Sequence, residues 1–369
     1  MAVPILSFFT GGGFFDLGFK QAGFRVCWTN ELCPAFIAFY EHGMSSWLSS
    51  LSGKSTKAQI ANAASICDLS APLVLDEAFG GVRPSEFGVI GGPPCPDFSN
   101  GGTHAGGNGS NGTLTTVYAD MICGLSPSFF VLENVAGLFR FHKHRAFLEK
   151  KISQLREHGY AVDYTVLNAL ELGVPQNRER LFVVGFKRSL AQRAVGRKLA
   201  KEEAGWFPWP AIEAYTGARS LSWPKISPFG DTPERPVDIP IELTVFPALL
   251  GNGDPEKIAN GVEFFNSYSA KFKKVPEGYV AHKSFKRLHR FRFSPTAWYG
   301  NQEVHLHPWK ERRLSIREAL RIQTVPDEYK LPDGQSLSAK FKLISNGVPC
   351  VMAFQVATSV KAFLKGTRA

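Results

Sequence analysis

Short apolar runs at 5–9, 26–30, 89–90, 129–133, 161–166 and 181–186 alternate with helix-like stretches at about 15–22, 33–41, 115–124, 143–158 and 169–172. Few folds accept that rhythm. A strand that is apolar on both faces must be covered on both faces, and a helix between successive strands supplies the cover. The alternation predicts an α/β fold built on a doubly wound, largely parallel sheet. In such sheets ligands bind beyond the carboxyl ends of the strands.

The rhythm stops after residue 186. Residues 187–310 are irregular, with Gly and Pro throughout, and helical signals return only at 315–323 and 351–364. Between Lys187 and Arg313, 21 Lys and Arg oppose 13 Asp and Glu, so +8 of the chain's +10 falls in about a third of its length. That shift marks a smaller second domain at 187–332, with residues 1–186 completed by 333–369 as the first. A chain of 369 residues is long enough for two such units. A basic region rich in Phe, Trp and Pro suits a polyanion, and nucleic acid is the leading partner. Its densest stretch carries Lys271, Lys273, Lys274, Lys283, Lys286, Arg287, Arg290 and Arg292, interleaved with Phe272, Tyr279, Phe285 and Phe291. Lysines there suit phosphates and arginines suit guanine edges, so Lys273, Lys274, Lys286, Arg287, Arg290 and Arg292 are the DNA-contact candidates. The plain alternative is a solvated basic face.

Other classes are disfavoured. No apolar run approaches the ~20 residues needed to cross a bilayer. The N-terminus lacks a basic leader and a small-residue cleavage site, so an intracellular protein is expected, cytoplasmic and close to the nucleoid. Six scattered cysteines form no Cys-x-x-Cys pair, which argues against a disulfide framework or a zinc site. His142-Lys143-His144 and His305-Leu306-His307 have no cysteines at zinc spacing, and no metal is expected.

The chemistry concentrates in a few motifs. Gly11-Gly12-Gly13 follows the first strand and opens a helix, the device by which a backbone approaches a nucleotide-like ligand. Glu31 ends the second strand twenty residues on, where a carboxylate reaches ribose hydroxyls. Asp68 in Ile66-Cys67-Asp68-Leu69 is expected to end a third strand. Gly91-Gly92-Pro93-Pro94-Cys95-Pro96 aims a thiol from a stiff turn. Glu133 and Asn134 end another strand, Gln176-Asn177-Arg178-Glu179-Arg180 precedes the last, and Ser345-Asn346-Gly347-Val348-Pro349 leads into a late helix. The glycine-rich run 100–112 after Cys95 reads as a lid.

In order and spacing these blocks resemble the DNA cytosine-C5 methyltransferase family, of the stand-alone prokaryote or phage type. The resemblance implies a Rossmann-like catalytic domain using S-adenosyl-L-methionine, with a target-recognition domain. It assigns the cofactor to Phe9, Gly11, Gly13, Glu31, Asp68, Leu114, Asn346 and Val348. It makes Cys95 the nucleophile that adds to C6 of a flipped cytosine, Glu133 the acid at N3 and Arg180 the cation at O2. Asn134, Arg178 and Gln176 would support the loops around them. Phe14 departs from the pattern, which usually has a further glycine there, and Pro96 replaces a commoner polar residue. The implied partners are double-stranded DNA, bound by a monomer, and a cognate restriction endonuclease of the same system. The alternatives are an RNA-directed enzyme, an inactive DNA-binding homologue and a Rossmann oxidoreductase. The RNA-directed branch carries a Cys-Phe-Thr signature in its recognition region, and residues 187–313 contain no cysteine. Intact Cys95, Glu133 and Arg180 argue against an inactive homologue, and an oxidoreductase would leave them unexplained.

Overall fold

The structure is a computed structural model that describes residues 2–94, 110–251, 253–266, 268–282, 284–296, 298–299 and 303–367. The six expected strands all form. β1 (Pro4–Phe8), α1 (Phe14–Gln21), β2 (Arg25–Asn30), α2 (Pro34–Ser52), α3 (Ala71–Phe79) and β3 (Gly88–Gly91) build the first half. α4 (Ser110–Leu125), β4 (Phe129–Val135), α5 (Gly137–Arg140), α6 (His142–Glu157), β5 (Tyr160–Asn168) and β6 (Glu179–Lys187) follow. Their order in the sheet is β2-β1-β3-β4-β6-β5. The winding reverses between β1 and β3, which opens a crevice at that point.

Strand alternation divides the core in two. Ile5, Ile90, Phe129, Val131, Phe182 and Val184 face one side, under α1, α7 (Arg188–Val195) and α10 (Cys350–Gly366). Leu6, Phe8, Val89, Phe130, Leu132 and Val183 face the other, under α3, α4 and α6. Both faces are apolar because both are covered.

Several expectations change. β1 through β5 run the same way, but β6 is antiparallel to both β4 and β5. The link from β5 to β6 holds only a short 3-10 turn at Ala169–Leu172. Without a crossover helix the chain returns as a hairpin. Ile66–Asp68 is not a strand but a single 3-10 turn, because the Ser65 side chain accepts the Cys67 N–H and caps it. α2 runs on to Ser52, since Tyr40, Met44 and Trp47 continue its buried face until Gly53 stops it at φ 64°. α4 begins at Ser110, so the last residues of the glycine-rich run are helical, while 100–109 lie outside the described residues. The stretch Leu337–Gly366 is long and apolar enough in composition to cross a membrane, contrary to the sequence reading. It breaks at Gly347-Val348-Pro349 into α9 (Leu337–Asn346) and α10, and the apolar face of α10 is buried in the sheet's core.

The basic region is not set apart at both ends. Leu199, Trp206 and Phe207 bury in the same cluster as Phe186 and Phe363. α8 (Ile316–Ile322) shares a third cluster with Phe14, α2 and α9. Between these ends Val245, Leu249, Leu288 and Tyr299 join that third cluster, while Phe272 with Val304 and Leu306 forms a small one of its own.

Candidate active site

A cleft of about 1520 Å³ opens at the carboxyl ends of β1, β2, β3 and β4. Phe9, Gly11, Glu31, Leu114, Asn346 and Val348 line it, as do Glu133, Asn134, Arg178 and Arg180. Phe9 is held at φ 53°, a left-handed conformation rare for a bulky residue. Its ring meets Tyr118 edge-on at 5.7 Å. Gly11 at φ 58° and Gly13 at φ 77° carry the turn into α1, as their type requires. Glu31 Oε2 accepts the Gly11 N–H at 2.8 Å and Oε1 accepts the Cys33 N–H at 2.8 Å. A carboxylate has about four acceptor positions, so each oxygen keeps one for a ligand. Gly13 and Gln176 do not line the cleft. Asp68 is exposed beside it, whereas Ser65 and Ile66 of the same turn line it.

At the other end Glu133 Oε1 pairs with Arg180 Nε at 2.8 Å, both side chains being nearly buried. Burial pushes the Glu133 carboxyl above the ordinary glutamate value, against the pull of Arg180 and Arg178. This is a carboxylic acid that keeps its proton to higher pH than an exposed one. A Cβ at Gly92 would stand 2.8 Å from Glu133 Oε2, so the strand end must be bare there. Asn134 Nδ2 donates to the Pro93 carbonyl at 3.5 Å, and its Oδ1 accepts the Val135 N–H at 2.8 Å. Pro93 and Pro94 line the cleft. Cys95 lies outside the described residues.

Arg178 is fully buried, and its Nη2 donates to the carbonyls of Ser345 (2.7 Å) and Gly347 (3.0 Å). It thus ties the β6 entrance to the bend between α9 and α10. Gln176 is also fully buried, and its backbone bridges Ser294. Phe14, the departure from the family pattern, packs edge-on against Tyr329 at 5.5 Å. A Cβ at Gly347 would come within 2.3 Å of the Phe14 ring. The missing glycine of the turn is matched by a glycine opposite it.

The DNA-contact candidates divide. Lys273 and Lys274 are exposed, with Lys273 3.4 Å from Glu311. Lys286 pairs with the nearly buried Glu303. Arg290 is held by Glu277 (Nη2–Oε2 2.8 Å) and lies over the Trp309 ring. Arg292 is half-buried, and burial lowers its pKa. Arg287 is the correction: it is fully buried, with its guanidinium on the carbonyls of Val275, His307, Lys310 and Phe272. A guanidinium so engaged braces the loop and has no face for a base. Lys283 lies outside the described residues.

The cleft also contains residues that no motif flagged. Phe265, Trp298 and Tyr299 reach it from the basic region. The Tyr299 N–H donates to Ser345 Oγ at 2.9 Å, and Thr296 Oγ1 donates to the Asn177 carbonyl at 2.8 Å. The Tyr299 hydroxyl is buried with no partner among the described residues. Their long sequence separation from the motifs hid them.

Fold and cleft together define an α/β enzyme with a glycine turn and an acid–guanidinium pair in one crevice. The chain belongs to the C-5 cytosine-specific DNA methylase family, which it matches over residues 3–362. It is 40% identical to the Type II methyltransferase M.NmeDI of Neisseria meningitidis serogroup C, over 98% of this chain and 84% of that protein. The Type II methyltransferase M.MthTI of Methanothermobacter thermautotrophicus is 28% identical over 99% of both chains. Among solved structures, a putative DNA modification methyltransferase encoded within an E. coli prophage superposes with TM-score 0.64. It has 20% identity and covers 99% of this chain and 100% of its own. The S. pombe Dnmt2 methyltransferase shares the fold at TM-score 0.57 and 13% identity, covering 98% of each chain. The protein is a DNA (cytosine-5-)-methyltransferase, and its reaction needs a methyl donor and a DNA substrate.

Proposed function

We propose that the donor is S-adenosyl-L-methionine, held by Phe9, the Gly11–Gly13 turn, Glu31, Leu114, Asn346 and Val348, and that the acceptor is a cytosine flipped from duplex DNA. The observation that carries this reading is the buried Glu133–Arg180 pair beside Gly92 and Pro93, in the same cleft as the glycine turn. The two acceptor positions left on Glu31 fit a ribose diol. When bound, the donor supplies an electrophilic methyl group.

The side chains account for the rest. C5 of cytosine is a weak nucleophile until the Cys95 thiolate adds to C6, moving an electron pair toward N3. Glu133 delivers its proton at N3, and Arg180 stabilises charge at O2. With C5 so activated the methyl group is accepted; C5 then loses its proton and the thiolate departs. Arg178 and Asn134 position the two walls. Exposed Lys273 and Lys274 fit phosphates. Lys286, Arg290 and Arg292 remain base or phosphate candidates once their present contacts rearrange. The recognition surface is narrower than 187–332, because parts of that span, Trp206 and Phe207 and again Val245, Leu249 and α8, bury in cores shared with the catalytic part. The Type II names of the relatives favour a cognate restriction endonuclease beside this chain, which works as a monomer on cytoplasmic, nucleoid DNA.

Bisulfite sequencing of plasmid DNA from cells expressing the chain should show methylated cytosines within one short sequence. Cys95→Ser and Glu133→Gln should abolish the signal while cofactor binding measured by calorimetry persists. A duplex with 5-fluorocytosine at the mapped site should trap a covalent complex. Full methylation by the serine variant would remove Cys95 from the mechanism.

A further inference from the structure

Glu179 separates Arg178 and Arg180 in sequence and serves a third direction. Successive side chains of a strand point to opposite sides, so the two arginines turn inward while Glu179 faces the cleft mouth. There it binds two guanidiniums at once. Arg140, from α5, meets it at 2.7 Å (Nη2–Oε1) and 2.5 Å (Nη1–Oε2), and Arg219, from the basic region, at 2.8 Å (Nη1–Oε1). The glutamate side chain is 22% exposed, whereas the arginines are 54% and 49% exposed. Glu179 takes three donors, each guanidinium carries about five, and no other partner of Arg140 or Arg219 is present among the described residues. The cluster keeps a net positive charge. Arg140, Phe141 and Glu179 all line the cleft that ends in the Glu133–Arg180 pair.

A base seated against Glu133 has its sugar and phosphates at the mouth of that cleft. We propose that Arg140 and Arg219, oriented by Glu179, grip the phosphates flanking the flipped nucleotide, one from the catalytic side and one from the recognition side. The inference rests on the function proposed above. Glu179 is a positioning residue: its bidentate hold fixes Arg140 so that little side-chain freedom remains to be lost on binding. As an isolated surface ion triplet it would add little to stability.

The test uses the full chain and duplexes carrying the mapped site, with or without a neutral methylphosphonate at each phosphate flanking the target. Arg140→Gln and Arg219→Gln should each reduce the salt slope of binding by about one unit and raise Kd about fivefold near 0.15 M salt, on target and scrambled duplexes alike. The methylphosphonate that weakens wild-type binding should have no further effect on the matching arginine variant. Glu179→Gln should flatten this position dependence, because both guanidiniums are released. Unchanged cofactor affinity in all three variants would show that the fold is intact. A wild type that binds and methylates DNA, with arginine variants of undiminished salt slope and full methylphosphonate sensitivity, overturns the inference alone. A wild type that binds no DNA removes it together with the function on which it rests.

Discussion

Asp16 stands in the first turn of α1 with no solvent exposure, its Oδ1 accepting the Ser7 hydroxyl at 2.6 Å. Burial pushes its pKa from 3.8 to about 6, although Ser7, Lys20 and Tyr40 all pull it down. The sign of the consequence follows from proton binding. Between about pH 4 and pH 6 the folded chain holds a proton that the unfolded chain has released. Stability from this group therefore falls as pH rises through that window and is level above it. Asp16→Asn keeps an acceptor for Ser7 and removes the buried charge. The variant should be more stable than wild type at pH 8 by roughly 1–3 kcal/mol and equal to it near pH 4. Urea titrations at several pH values would test this, and parallel stability profiles for the two proteins would refute it.

The bend between α9 and α10 shows how an element is ended from outside. The last carbonyls of a helix lack partners of their own. Here Gln323 Nε2 donates to the Ile344 carbonyl at 2.7 Å, and Arg178 takes those of Ser345 and Gly347. Asn346 and Val348 are thereby presented to the cleft. Gly347→Ala would push a methyl group into the Phe14 ring, and the expected loss is about 1–3 kcal/mol with weaker cofactor binding. Phe14→Ala in the same chain should return part of that loss, because the two positions share one space. Denaturation of the single and double variants gives the coupling directly. Additive effects would mean that the ring and the bend are independent.

At the scale of the whole molecule, the basic region is braced internally by charge as well as by apolar packing. Glu318 caps α8 through Ser315 and receives two bonds from Arg312, at 2.7 and 2.8 Å, while Arg312 also binds Glu256 at 2.7 Å. Burial alone would raise the Glu318 pKa, but hydrogen bonds from Arg312 and His307 hold it well below the usual range. Its contribution is present above the ordinary glutamate pKa and is lost as pH falls through the folded one, opposite in sign to that of Asp16. Arg312→Met would strand a buried carboxylate and should destabilise the chain by about 3–5 kcal/mol. Arg312→Met combined with Glu318→Gln should recover much of this, as thermal unfolding would show. A single variant as stable as wild type would mean that the region is held by apolar packing alone. The same network explains why a count of +8 overstates the DNA-facing charge: Arg287 and Arg312 are spent inside the region that holds them.

The strands and the two-sided core were legible in the sequence, whereas the gathering of Glu133, Arg180, Glu31 and the glycine turn was expected only from the family resemblance. Strands and core depend on local rules: apolar runs that need cover, and glycines that permit positive φ between them. The direction of β6 was not legible, because a missing crossover helix reverses a strand that reads the same in either direction. The single turn at Ile66–Asp68 depended on one serine cap competing with a weak strand. The pairing of Phe14 with Gly347, the burial of Arg287 and the hold of Glu179 on Arg140 and Arg219 join residues far apart in the chain. Only tertiary structure decides such contacts, since whether a charge or a ring faces solvent, a partner or the cleft is set by what folds against it.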